Sequence, residues 1–281
     1  MTEVNTVMMA NPDNDNPFVR MQLLSWIATA FLWLLIMIIT ELQFRNKRKV
    51  QQFLSTIHSV VVVPLSIIYF WSLLPTKELQ NIDWFGAVET NGPNGANSSV
   101  SSQNLLGLCI VSFSASYFVL ETLVEIFYDY DFKYDNICHG MTMTYLYFVI
   151  GVLSMRGHNV LILFLQFEIS TLFLNCYYAS KEVEPEISQT MYGVPKPKLI
   201  TIAKTLFVLS FVYVRVYWAL QVVPTVSLNI LANNVDFTNQ PLLSLGAITF
   251  VMVGLAGIFL NIYWLFKMLI MISKKKDRET C

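Results

Sequence analysis

Three carboxylates, Glu121, Glu125 and Asp129, recur at four-residue spacing in and just beyond an apolar stretch, and on an α-helix that spacing stacks them along one face. Like charges so stacked repel unless cations intervene. They therefore either pair with Lys204 and Arg215 further along the chain or form a cation site or proton relay. His139 follows Asp135 by four residues. An imidazole so placed has the chemistry of a base or nucleophile toward an acyl group if the carboxylate orients its other nitrogen. It reads equally as a structural histidine bonded to a neighbouring helix. His58, in Ser55-Thr56-Ile57-His58-Ser59, carries the same two readings, and Glu168 and Asn175 interrupt a further apolar run. The three histidines, His58, His139 and His158, show no H-x-x-x-H or H-x-x-E-H spacing, so no zinc site is expected. Phosphate-cradling glycine loops, G-x-S-x-G elbows and nucleotide fingerprints are absent, and no cofactor is expected.

These groups have to be positioned by a membrane bundle. The chain is 55% hydrophobic and 13% charged, against roughly 25% charge in soluble domains. Its apolar residues fall in long runs, and a spanning helix needs about 20 of them. Seven stretches qualify, at residues 23–39, 53–74, 105–127, 137–153, 160–178, 199–223 and 242–272. The fourth is diluted by His139, Gly140 and Thr142, and the fifth by Gln166, Glu168 and Asn175. Polar groups at membrane depth turn to one another or to a cavity, so those two spans are expected to face the bundle interior.

Lys and Arg resist transfer across the bilayer and set orientation. Residues 45–49, 133, 181–198 and 274–278 carry twelve of them on one side, against Arg20, Lys77 and Arg156 on the other. That bias predicts an odd number of spans with the N-terminus outside. Asn97-Ser98-Ser99, a glycosylation sequon, falls on the predicted outer side, in a Gly/Asn/Ser-rich loop. The four cysteines lie far apart and read as buried small hydrophobes, not as a disulfide frame. The net charge of -1 gives no reason to expect a nucleic-acid partner.

The ordered polar motifs resemble the TLC domain of the TRAM, Lag and CLN membrane proteins. They comprise Ser55-Thr56-Ile57-His58, Ser116-Tyr117-Phe118-Val119-Leu120-Glu121, and Asp131-Phe132-Lys133-Tyr134-Asp135 before His139. Further on come residues 167–175, 207–215 and Leu260-Asn261-Ile262-Tyr263-Trp264. The resemblance implies an all-α fold of one leading helix plus a six-helix bundle around an intramembrane cavity. Residues 1–44 would form a polar tail and the first helix, 45–275 the bundle, and 276–281 a basic tail.

The family's ceramide synthases, which join an acyl group from acyl-CoA to a sphingoid amine, use paired adjacent histidines. Here His139 matches the first, and Gly140 stands in place of the second. The usual aspartate of the third span is Glu121, and residues 141–153 lack the acidic signature of those enzymes. The similarity is closer to small members that are not established ceramide synthases. It implies a lipid-binding protein whose cavity is lined at its polar end by His58, Glu121, Glu125, Glu168, Asn175, Lys204 and Arg215, with membrane lipids as partners. The alternatives are an accessory subunit of a larger membrane complex, or an N-acyltransferase with His139 and Asp135 as its catalytic pair. The endoplasmic reticulum is the expected membrane, with the mitochondrial inner membrane as the alternative.

Overall fold

The computed structural model describes residues 17–44, 47–73, 102–128, 134–153, 157–182, 190–191, 194–235, 237–238 and 241–279, with the backbone alone at some helix ends. The sequon and Asp129 lie outside the described residues, as does the side chain of Asp135.

Hydropathy dictates an all-helical bundle, because a backbone in hydrocarbon has to satisfy its own hydrogen bonds. Helix α1 spans Pro17–Phe44, α2 Lys47–Leu73 and α3 Ser102–Tyr128. Helix α4, Tyr134–Thr144, continues as a π-helix over Tyr145–Leu153. Helix α5, His158–Phe164, runs through a 3-10 turn, Leu165–Phe167, into α6, Glu168–Glu182. Helix α7, Lys196–Ser210, passes through a second π-helix, Phe211–Trp218, into α8, Ala219–Asn234, and α9 spans Pro241–Glu279. A small antiparallel hairpin of two-residue strands precedes α7 in this all-α fold, with Thr190 opposite Pro195 and Met191 opposite Val194.

Six helices among the described residues are long and apolar enough to cross a membrane: Arg20–Phe44, Lys49–Phe70, Leu105–Phe127, His158–Lys181, Pro197–Asn233 and Ser244–Ile270. The expected fourth span is not among these six, yet it is helical from Tyr134 to Leu153 and packs along α3. In its polar first half Gly140 and Thr144 meet α3, at Thr122 and at the Phe118 carbonyl.

Lipid tails are as apolar as leucine, so helices in a bilayer are held by close packing and hydrogen bonds, not by escape from water. Helix α3 is the most enclosed of the six and α1 the least. Leu24, Phe31, Leu35 and Leu42 leave one side of α1 facing outward. Its other side carries Gln22, Trp26, Thr29 and Trp33, spaced three or four residues apart along one helical face. Trp33 is fully buried, donates from Nε1 to the Phe113 carbonyl at 3.1 Å, and packs its ring at a tilt against Phe113 and Tyr117, with centroids 4.9 and 5.2 Å away. The Thr29 hydroxyl lies 2.8 Å from that of Ser116.

Cys109, Cys138 and Cys176 are exposed, which corrects the expectation of buried thiols. A thiol is apolar enough to face acyl chains as readily as a core.

Candidate functional site

Helix α2 turns Gln51, Ser55, His58 and Ser59 toward its neighbours, residues that recur at helical spacing. Opposite, α3 presents Ser114, Tyr117, Glu121 and Glu125 with the same rhythm. The His58 ring is fully buried and stacks on Tyr117, with centroids 4.0 Å apart and planes 12° from parallel. Its Nε2 lies 3.3 Å from the Ser114 hydroxyl. The Tyr117 hydroxyl donates to Glu121 Oε1 at 2.7 Å. Lower on the same face the Gln51 amide donates to Glu125.

The start of α6 adds Glu168, Ser170 and Thr171, and one turn further Asn175. Ser59 donates to Glu168 Oε2 at 3.4 Å, and Asn175 donates to Ser55 at 3.0 Å. Arg215 enters from the π-helix between α7 and α8. Its Nε donates to Ser170 at 2.7 Å and an Nη to Thr171 at 3.0 Å, while the same Nη stands 4.0 Å from Glu168 Oε1. The expected partners of Arg215 were the α3 carboxylates; the ion pair it makes is with Glu168 on α6. Glu121 remains within electrostatic range of both Glu168 and Glu125. Both π-helices border this region, one carrying Arg215 and the other Tyr147, which is fully buried and donates to the Leu161 carbonyl at 2.7 Å. Such turns widen the helix and often mark functional sites.

His139 lies within electrostatic range of Arg215. Its side chain is exposed. Beside it, Gly140 lies close against α3. A Cβ there would stand 2.7 Å from Thr122 Oγ1. Thr122 is held in place, because it donates to the Phe118 carbonyl at 2.7 Å and lies 3.0 Å from the Thr144 hydroxyl. A side chain at this position would have to displace the Thr122 hydroxyl.

Of the residues singled out in the sequence, Glu121, Glu168, Asn175 and Arg215 fall into one polar region, with His139 on its α4 side, His58 against Tyr117, and Glu125 one turn below. Lys204 lies apart, exposed on α7. Asp135 falls in the first turn of α4, so the geometry of the proposed Asp135–His139 pair lies outside the described side chains. Sequence reasoning gave no role to Ser55, Ser59, Ser170 and Thr171, whose hydroxyls link the charged groups. Serine and threonine occur throughout membrane helices, and their type alone carries no signal. Tyr117 had a signal, a phenol one turn before a carboxylate. Among the described residues no three His, Cys, Asp or Glu side chains form a group able to hold a metal.

No curated protein and no solved structure matches the chain. A family model, that of the TLC domain, matches residues 48–270, a range that opens with α2 and closes within α9, so every helix that feeds the polar region lies inside it. A multi-pass helical bundle, its polar motifs in TLC order and a match over most of its length lead to one assignment: the chain belongs to the TLC-domain family.

Proposed function

We propose that this protein binds a membrane lipid within the bundle, with the headgroup at the Glu121, Glu168, Arg215 and His139 region and the acyl chain among the apolar helices. The observation that carries the reading is the convergence of carboxylates, a guanidinium and an imidazole from four helices at membrane depth. Charged groups are costly there unless they meet each other or a polar guest. Arg215 spends its Nε and one Nη on Ser170, Thr171 and Glu168, so it is oriented before a headgroup arrives. An amphiphile suits a polar region set in an apolar bundle.

Acyl transfer by two adjacent imidazoles, the chemistry of the family's synthases, is disfavoured by the contact of Gly140 with Thr122. In this reading His139 is a hydrogen-bonding partner of the headgroup. The endoplasmic reticulum is the membrane that the family resemblance implies, and lipids are the partners.

The test is lipid analysis of protein purified in mild detergent. One lipid class should be retained well above its share of the membrane extract, and Arg215→Gln should reduce that enrichment severalfold in folded protein. A bound fraction that mirrors the bulk extract would refute the proposal.

A further inference from the structure

Away from the polar region, near the start of α1, two buried groups of opposite hydrogen-bonding character lack protein partners. Gln22 is completely buried. Its amide nitrogen donates to the Gly151 carbonyl at 3.0 Å, and the same carbonyl receives His158 Nε2 at 2.9 Å. The amide is thereby pinned, and its oxygen is buried and unpartnered. One turn along, Trp26 packs at a tilt against Phe148 with centroids 4.7 Å apart, and its indole nitrogen is likewise buried and unpartnered. Both residues therefore lie against the same π-helical stretch, which carries Phe148 and Gly151.

Helix α3 closes the seam. A Cβ on Gly151 would stand 2.7 Å from Val111, and the next residue, Ser112, is fully buried with an unpartnered hydroxyl. An acceptor at Gln22 and a donor one turn on at Trp26 thus occur in one seam, with the Ser112 hydroxyl on the helix that closes it.

Buried polar atoms in native proteins are satisfied by protein, water or ligand, and a guest needs two or more polar partners to stay. Residues one turn apart have Cβ atoms about 5–6 Å from each other, a separation that one bridging group can span. The group has to donate to the amide oxygen and accept from the indole. Gln22, Trp26 and Ser112 are uncharged, so an ion gains nothing there. We propose that the seam between α1, α3 and the first π-helix binds a single hydroxyl group, from a water molecule or a lipid alcohol, between Gln22 Oε1 and Trp26 Nε1. The site is independent of the lipid-binding reading above and gives the leading helix a role in ligand capture.

The test is solution NMR of the full chain in micelles, following the Trp26 indole N–H, assigned by its loss in Trp26→Phe. Oleyl alcohol is the hydroxylic probe, and methyl oleate is the control without a hydroxyl. Cross-relaxation between the indole proton and a long-lived water identifies water as the guest. A resonance shift with oleyl alcohol and none with methyl oleate identifies a lipid hydroxyl. In Gln22→Met, folded as judged by the other indole signals, whichever signature is present should be lost. If the wild-type indole shows neither signature, or if the signature survives in folded Gln22→Met, the proposal is wrong. The wild-type arms decide the matter even if that variant does not fold.

Discussion

At the scale of single residues the decisive feature is the company Arg215 keeps. Its guanidinium meets two hydroxyls and one carboxylate, and that carboxylate, Glu168, is in turn held by Ser59. Removing one member of such a pair strands a charge in a low-dielectric region, whereas removing both strands none. Arg215→Met should therefore destabilise the protein by about 3 kcal/mol, with the loss much smaller in a Glu168→Gln background. Thermal unfolding of the single and double variants in one detergent reads this directly. Equal losses from Arg215→Met in both backgrounds would mean that the 4.0 Å approach carries no coupling.

At the scale of helices, the packing of α4 on α3 depends on what is missing at Gly140. Alanine there would press its methyl group on Thr122 Oγ1 at 2.7 Å, while the Thr122 Cα and Cβ would lie at an ordinary 3.5 Å. Gly140→Ala should cost about 1–3 kcal/mol, as overpacking does. In a Thr122→Ala background the cost should largely vanish, since the clashing oxygen is gone. An undiminished cost in that background would place the obstruction elsewhere. This contact also shows where sequence reading stops. In the sequence Gly140 reads as the loss of a second histidine, but its role as a helix contact depends on Thr122, which belongs to another span. The spans themselves were legible because a bilayer of fixed thickness turns apolar length into a count of crossings. The π-helices were not, since Tyr145-Leu146-Tyr147-Phe148-Val149-Ile150-Gly151-Val152-Leu153 is nearly uniformly apolar and offers no periodicity to read. The partner of Arg215 was hidden for a third reason. The four-residue spacing of Glu121, Glu125 and Asp129 directs the expectation to α3, and only the packing of α6 beside the second π-helix brings Glu168 to Arg215.

At the scale of the whole molecule, the path of residues 134–153 bears on whether the two ends of the chain lie on the same face of the membrane or on opposite faces. Gly140 lies opposite Thr122, Thr144 donates to the Phe118 carbonyl, and Gly151 lies opposite Val111. The segment therefore runs antiparallel to α3, along about 16 Å of its length at ~1.5 Å per residue. It ends beside Gln22, near the start of α1, where His158 opens α5. Helix α4 thus begins on the side where α3 ends, and α5 begins on the side where α1 begins. Adding this crossing to the six long apolar helices makes seven among the described residues, an odd number, in keeping with the excess of Lys and Arg on the C-terminal side. Epitope tags at the two ends should accordingly lie on opposite faces of sealed vesicles, one digested by added protease and the other protected until detergent is supplied. The C-terminal tag should be the one facing the cytosol, because residues 274–278 carry Lys274, Lys275, Lys276 and Arg278. Two tags digested together would require residues 134–153 to re-enter the same face. The register between α4 and α3 does not allow that without breaking the Thr144 hydrogen bond and the close approaches at Gly140 and Gly151.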